Sequence, residues 1–316
     1  MLGSLHEVRP GRVLYVETSY GNPDGEFAGN SLVALLIHGA MCHHSQYAEQ
    51  AKALIGSGVS VVVFDLLGCG DSTKPRPDDH AERMRVYGPQ EIYQDCIAVM
   101  NQFTSEWDSV FVAGHSYGGP LTVRLAAEHP KRIAGILCLG FGYPTAPAPQ
   151  ETSWLRRSCR AAGWGKGKSG FGWWLKLPEW MLQLIMPYVA SIIIHTVYHP
   201  NTFKRRPHMV SNEWWAWAGN APWVVQALTP GIGKLVKDME ELKSLIRSIS
   251  APALIIDQES KAPPGKTGPE LMAADMQDGE GHAIPMSFHQ VHQDQPDAVN
   301  EYLLDFLRRK VCHVQV

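Results

Sequence analysis

The chain has 316 residues, of which 45% are hydrophobic and 19% are charged, and its formal net charge is -3 at pH 7. This composition is typical of a globular protein and excludes a fibrous or largely disordered chain. A charge so close to neutrality provides no field that would attract a polyanion, so we expect no nucleic-acid partner.

Strand-like segments rich in Val, Ile and Leu alternate with helical patterns over most of the chain. Nearly continuous apolar runs are typical of strands buried on both faces, and their alternation with helices predicts a mostly parallel sheet with helices on both faces. The predicted strands are residues 13–17, 32–37, 59–64, 110–113, 133–139, 253–256 and 283–286, and the predicted helices are residues 46–55, 89–103, 120–128 and 297–309.

The alternation stops after Gly140, at a proline-rich segment, and resumes near Pro252. Nine of the ten tryptophans lie between these two points, so composition changes together with pattern. We therefore predict an α/β core formed by residues 1–143 and 250–316, with residues 144–249 inserted as a Trp-rich helical cap.

One serine lies where a predicted strand must turn sharply into a helix, in the segment Gly114-His115-Ser116-Tyr117-Gly118. The two glycines lack the side chains that would clash in so tight a turn, which leaves the serine hydroxyl projecting above the edge of the sheet. We interpret Ser116 as a nucleophile for attack on a carbonyl carbon.

An attacked carbonyl also needs hydrogen-bond donors for the oxygen that becomes negatively charged. The predicted strand 32–37 ends in His38-Gly39-Ala40, where small residues allow backbone amides to approach a substrate. We predict an oxyanion hole formed by the amides of Ala40 and Tyr117, and interpret His38 as a structural residue of the loop.

Three motifs, in this order and spacing, resemble those of the α/β-hydrolase family, and the first is especially similar to monoglyceride-lipase-like members. They are His38-Gly39-Ala40 with His43 and Tyr47, Asp65-Leu66-Leu67-Gly68-Cys69-Gly70-Asp71-Ser72, and Gly114-His115-Ser116-Tyr117-Gly118-Gly119. The resemblance covers residues 12–143 and 250–310. It implies an α/β-hydrolase fold and a serine hydrolase that requires no cofactor, with Asp65 and Asp71 stabilising a loop.

Two histidines compete for the role of general base. His289 follows the last predicted strand, at the carboxyl edge where open α/β sheets place their chemistry, whereas His282 precedes that strand. The segment from His289 to Pro296 also resembles the catalytic-histidine segment of the family, so we predict that His289 is the base. His292 is interpreted as a helix-entry residue.

The third member of a catalytic triad is less well defined. The resemblance places the acid after the strand 253–256, where Lys261 occupies the expected position. Asp257 and Glu259 lie beside the same strand end: Asp257 is closer to the strand, and Glu259 is nearer the expected position with a longer reach. We leave the acid open between these two, together with the possibility that neither acts.

The cap sequence indicates an apolar substrate. Residues 180–203 contain no Asp, Glu, Lys or Arg. These helices either pack on the core or form an acyl-binding tunnel or interfacial patch with Trp180, Trp214 and Trp215, and the patch would allow peripheral membrane contact. Pro187 within the segment disfavours a membrane span.

We therefore predict a serine hydrolase that cleaves a carboxylic ester, or a similar acyl bond, of a small hydrophobic substrate through an acyl-enzyme on Ser116. Two alternatives stay open: a carbon–carbon bond hydrolase, and a catalytically weakened protein that binds a hydrophobic ligand. We expect no metal site, because the histidines lack metal-ligand spacing. The absence of an apolar run near the N-terminus and of C-x-x-C pairs predicts a cytoplasmic location.

Overall fold

The computed structural model describes residues 3–143, 175–232, 234–236 and 238–312. Its eight strands are β1 (Ser4–Arg9), β2 (Arg12–Ser19), β3 (Leu32–Ile37), β4 (Ser60–Phe64), β5 (Ser109–His115), β6 (Ile133–Leu139), β7 (Ala253–Gln258) and β8 (Gly279–Ile284). They form one sheet in the order β1-β2-β4-β3-β5-β6-β7-β8. β2 runs antiparallel to both of its neighbours, whereas β4, β3, β5, β6, β7 and β8 pair in parallel.

Helices follow most of the parallel strands. They are α1 (Ala48–Gly56), α2 (His80–Val86), α3 (Pro89–Phe103), α4 (Gly118–Glu128), α5 (Glu179–Val197), α6 (Pro200–Arg205), α7 (Pro207–Ala218), α8 (Pro222–Leu228), α9 (Met239–Ser248), α10 (Gly268–Ala274), α11 (Val291–Asp294) and α12 (Pro296–Phe306). This is the α/β-hydrolase architecture that the sequence predicts.

Strand β3 shows how the sheet is covered on both faces. Its odd-numbered residues belong to one hydrophobic cluster, with α3 and α4, and its even-numbered residues to a second cluster, with α1 and α12. Because side chains alternate along a strand, six consecutive apolar residues supply both cores at once.

Two strands differ from the prediction. β1 is missed, because it is an edge strand with three of its six residues exposed, and its apolar residues Leu5 and Val8 are three positions apart and so do not alternate. β8 ends at Ile284, earlier than predicted, because Pro285 has no N–H for the ladder and Met286 adopts a φ of 53°. β8 also begins at Gly279, before the predicted start at residue 283, so His282 lies inside the strand and does not precede it. Its ring stacks on Tyr302 at a centroid distance of 4.1 Å.

In the predicted cap, the described residues from 175 onward form α5 to α9. Residues 144–174 lie outside the described residues, so the boundaries of the cap stay a prediction. Helix α5 buries a stripe at four-residue spacing, formed by Leu182, Met186, Ala190 and Ile194. Through this stripe, helix α5 of the predicted cap packs into the same hydrophobic cluster that covers one face of the sheet.

Candidate active site

Ser116 lies at the turn between β5 and α4, with its backbone in the left-handed region at a φ of 51°. Its N–H donates to the carbonyl of Leu139 at 2.9 Å, and its carbonyl accepts from the amide of Gly119 at 3.0 Å. A Cβ added at Gly114 would lie 2.1 Å from the carbonyl oxygen of Gly118. The turn therefore requires glycine at position 114, as the sequence indicates.

His289 lies in the loop between β8 and α11, and its Nε2 atom is 2.9 Å from the Oγ atom of Ser116. Burial lowers the pKa of this imidazole to about 4, so the ring is neutral at pH 7 and its free nitrogen can accept a proton. The structure thus brings together the predicted nucleophile and the predicted base. The alternative base, His282, is fixed in the sheet.

Neither predicted acid contacts this base. Among the residues that the structure describes, the buried Nδ1 atom of His289 has no hydrogen-bond partner. The carboxylate of Asp257 accepts from the backbone amides of Gly142 and Gln258, at 3.0 and 2.7 Å. The exposed Glu259 accepts from the amide of Met286 at 3.1 Å. Within the described part of the chain the candidate site is therefore a Ser–His pair, because the carboxylates of Asp257 and Glu259 accept from backbone amides instead.

The base is instead held through its backbone. The Nε2 atom of His115, in the residue before the nucleophile, lies 3.0 Å from the carbonyl oxygen of His289. The two rings are 4.8 Å apart, and His115 is buried. His115 thus links the nucleophile turn directly to the loop that carries the base, a role that sequence reasoning missed.

The loop after β3 orients the amide of Ala40. Since the Nε2 atom of His38 accepts from the amide of Leu66 at 2.9 Å, the proton of this ring lies on Nδ1, which donates to the carbonyl of Gly39 at 2.6 Å. The amide of Cys42 donates to the same carbonyl at 3.2 Å. In a trans peptide the N–H points opposite to the C=O, so these bonds turn the Ala40 N–H away from His38.

The predicted oxyanion donors lie on two segments that pack together. A Cβ added at Gly39 would lie 3.4 Å from the Cβ atom of Ser116. Both Ala40 and Tyr117 are buried, and Tyr117 directly follows Ser116 at the start of α4. The residue after Ala40, Met41, has a φ of 63°. His38 has the structural role that the sequence predicts.

Asp65 and Asp71 belong to a neighbouring loop. The carboxylate of Asp65 accepts from the amides of His44 and Asp71, at 2.6 and 2.8 Å, and contacts the Nδ1 atom of His44 at 3.0 Å. Ligand atoms of these three residues lie within 4.8 Å of one another, as a metal site would require. Both oxygens of the Asp65 carboxylate already form these hydrogen bonds, which hold the two loops together. The arrangement therefore fits the loop-stabilising role that the resemblance implies for Asp65.

The three tryptophans predicted to bind substrate lie in helices of the predicted cap. Trp180 and Trp215 are each 66% exposed, so they do not enclose a tunnel. Trp214 is half-buried and its Nε1 atom donates to Ser191 at 2.9 Å, which ties α7 to α5. The exposure of Trp180 and Trp215 disfavours the tunnel and favours the surface patch.

A family model described as serine aminopeptidase, S33, matches residues 30–296. The chain belongs to this α/β-hydrolase family. It is similar to epoxide hydrolase B of Mycobacterium tuberculosis, at 32% identity over 114 residues, or 36% of this chain and 29% of that protein. Human monoglyceride lipase is 28% identical over 127 residues, or 40% of this chain and 39% of the lipase. The chain thus spans well under half of the length of these relatives.

Solved structures share the α/β-hydrolase fold along nearly the whole chain. An esterase from Thermogutta terrifontis has a TM-score of 0.69 at 19% identity, covering 98% of this chain and 100% of that one. An esterase from Exiguobacterium antarcticum has a TM-score of 0.71 at 13% identity, covering 97% and 100%. At identities this low, the structural similarity establishes the fold alone. The match to the family model shows that the chain belongs to a hydrolase family.

Proposed function

We propose that this α/β-hydrolase is a serine hydrolase that cleaves a carboxylic ester, or a similar acyl bond, of an apolar substrate. The observation that carries the proposal is the 2.9 Å contact between the Nε2 atom of His289 and the Oγ atom of Ser116. A serine with a neutral imidazole at hydrogen-bond distance is the arrangement that activates a hydroxyl nucleophile. The partial similarity to a monoglyceride lipase supports an ester substrate.

The proposed reaction has two steps. The Oγ atom of Ser116 attacks the carbonyl carbon while His289 takes its proton, and the amides of Ala40 and Tyr117 donate to the resulting oxyanion. Collapse of this intermediate breaks the ester bond, and the leaving alkoxide takes the proton from His289. Water then attacks the acyl-enzyme with His289 again as the base, which releases the acid and restores the serine.

A fluorophosphonate probe together with a series of p-nitrophenyl esters tests this proposal. We expect stoichiometric labelling of the folded protein, loss of labelling after denaturation, and a higher kcat/KM for esters of medium acyl length than for the acetate. A folded protein that neither labels nor hydrolyses any ester of the series would contradict the proposal.

The Nδ1 atom of His289 has no hydrogen-bond partner in the ranges that the structure describes, and this favours a second candidate, a weakened hydrolase that binds its hydrophobic ligand and turns it over slowly. Removing the acid of a serine triad lowers kcat by about 10⁴-fold in enzymes where this has been measured. A hydrophobic ester that binds in the micromolar range but is cleaved at rates near 10⁻² per second or below, on the order of that loss, would favour this second candidate.

The acid side of the pH profile follows from the environment of His289. The base acts in its neutral form, which is lost as the pH falls through the pKa of the imidazole. At pH 5 a base with a pKa of about 4 is about nine-tenths neutral, whereas one with the ordinary value of 6.5 would be about 3% neutral. We therefore expect kcat/KM at pH 5 to stay close to its value at pH 7.

This profile is measured by initial rates on a soluble ester, over the pH range in which circular dichroism shows the folded protein. The variant Glu82→Gln is the control, because that surface carboxylate accepts from Arg85 of the same helix, α2, and should leave the profile unchanged. An acid limb between pH 6 and 7 would contradict this prediction, because it is the limb given by an imidazole that is solvated or that pairs with a carboxylate.

We also propose that the exposed face of the cap meets the apolar substrate at a membrane or micelle surface. Helix α5 is long and apolar enough to cross a membrane. An 18-residue window within it has a mean hydropathy of 1.5, and only 22% of the residues in that window are buried. Opposite its buried stripe it exposes large apolar side chains at four-residue spacing, namely Trp180, Leu184, Tyr188 and Ile192, and Trp215 of α7 is exposed as well. The exposed cations Lys204 and Arg205 follow in the chain, a combination typical of interfacial helices.

Substitution of Leu184 by glutamate tests this surface. We expect Leu184→Glu to weaken binding to phosphatidylglycerol vesicles by about tenfold or more, because burying a leucine contributes roughly 1.5–3 kcal/mol. Cosedimentation of the protein with vesicles measures the effect. Leu5→Glu is the matched control, since Leu5 is 54% exposed on the edge strand β1. If the wild-type protein stays in the supernatant, the proposal that this face of the cap binds membranes is wrong.

A further inference from the structure

Glu213 is a buried carboxyl group of the cap that the proposed mechanism does not use. It lies on α7 with 1% of its surface exposed, and its Oε1 atom lies 3.3 Å from the Nε2 atoms of both Gln46 and Gln290. Burial raises the pKa of this carboxyl to about 7, while hydrogen bonds from Cys42 and Gln46 lower it less. Burial of a carboxyl group lowers the stability of the fold unless hydrogen bonds compensate for the lost hydration.

The two amides that Glu213 contacts lead to the two halves of the candidate active site. The Oε1 atom of Gln46 accepts from the backbone amide of Gly39 at 3.0 Å, next to the predicted oxyanion donor Ala40. Gln290 directly follows His289, and its side-chain oxygen accepts from Gln46 at 3.0 Å. Glu213 is thus two hydrogen bonds from the oxyanion loop and one from the neighbour of the base.

The chemistry of the carboxyl group determines how these amides are oriented. A side-chain amide can present either its NH₂ group or its oxygen to a neighbour. The Oε1 atom of Glu213 accepts in the ionised carboxylate and also in the neutral carboxyl group with its proton on Oε2. With an acceptor at position 213, Gln46 must present NH₂ to the cap, and its oxygen is left for the N–H of Gly39. A reversed amide would place NH₂ against that N–H, with two donors facing each other.

We propose that Glu213 is a positioning residue, supplied by the cap, that fixes the oxyanion loop and the loop of the base relative to each other. The proposal rests on the proposed function for its effect on catalysis, but its effect on the two loops is independent of activity. Two further hydrogen bonds join the cap to the same loops. The side-chain amide of Asn220 donates to the carbonyl of Met41 at 2.9 Å, and the backbone N–H of Gln290 donates to the carbonyl of Val197 at 3.0 Å.

Two substitutions of Glu213 separate positioning from a structural role. In Glu213→Gln the amide oxygen can still accept from both neighbours, whereas in Glu213→Leu it cannot. For a short soluble ester, we expect Glu213→Leu to lower kcat at least tenfold with KM within twofold, and to slow fluorophosphonate labelling equally. We expect Glu213→Gln to stay within threefold of wild type, because the bonds that orient the two amides are kept.

The matched control is Gln226→Leu, which removes hydrogen bonds inside the cap. The Nε2 atom of Gln226, on α8, donates to the carbonyls of Leu175 and Leu177 at 2.9 and 2.8 Å. We expect its rates to stay within twofold of wild type. If Glu213→Leu gives too little folded protein, Gln46→Leu tests the same link from the core, since leucine has no acceptor for the N–H of Gly39 and should reproduce the loss of kcat.

Amide hydrogen exchange gives a readout that does not need activity. In Glu213→Leu we expect the amides of Gly39 and Gln290 to exchange about tenfold faster than in wild type, with β5 and β6 unchanged. Wild-type exchange and wild-type rates in folded Glu213→Leu would overturn the proposal, and so would a Glu213→Gln variant as slow as Glu213→Leu. A wild-type protein that does not label would refute the proposed function alone, because exchange still reports on positioning.

Discussion

Replacement of Ser116 by alanine is expected to eliminate covalent labelling by a fluorophosphonate and to lower kcat for a soluble ester by about 10²-fold. The labelling is lost completely because the probe phosphonylates the Oγ atom itself. The loss of kcat is smaller than in a complete triad for a physical reason. Loss of a whole triad lowers kcat by roughly 10⁶-fold, and loss of the acid alone by about 10⁴-fold. In a site without the acid, removal of the serine is therefore expected to lower kcat by only the remaining factor of about 10².

Labelling is followed by intact-mass spectrometry, and kcat by steady-state hydrolysis. Ser248→Ala is the matched control, because the Oγ atom of Ser248 bonds the carbonyl of Leu245 in α9, within a helix of the predicted cap. It should label like wild type. A Ser116→Ala protein that still takes up one probe per chain would show that another group is the nucleophile.

The substitution Gly114→Ala is expected to destabilise the fold by about 3 kcal/mol or more and to abolish labelling. The added methyl group would lie 2.1 Å from the carbonyl oxygen of Gly118 and 2.3 Å from the Oγ1 atom of Thr122. Relief of these contacts requires β5 and α4 to separate, and this moves Ser116 away from His289.

Urea unfolding at equilibrium, with labelling of the folded fraction, measures both effects. Gly56→Ala is the control: it lies in helix α1, and an added methyl group there meets no atom within 4 Å. We expect that variant to be neutral or stabilised by up to about 1 kcal/mol. A Gly114→Ala protein within about 1 kcal/mol of wild type would contradict the tight packing of this turn, because that is the ordinary effect of a point substitution.

The parts of the fold that follow from local patterns could be predicted from the sequence. The buried strands and the turn at Ser116 depend on residues close together in the chain, and the position of His289 after the last strand was enough to prefer it over His282. The acid could not be assigned, because the bonds of Asp257 and Glu259 depend on how two loops fold. Glu213 contacts Gln46 and Gln290, which lie 167 and 77 positions away in the chain, so no local sequence pattern predicts these contacts.

Backbone strain in the described residues is concentrated around the candidate active site. The non-glycine residues with positive φ there are Met41, Ser116 and Met286. Each is either Ser116 itself or lies within three residues of Ala40 or His289, and a left-handed backbone costs an L-residue of order 1–3 kcal/mol. Glycine at any of the three could keep the same φ without that cost, but at position 116 it would also remove the hydroxyl group. The protein therefore gives up stability at the three short segments that carry the proposed nucleophile, oxyanion donor and base.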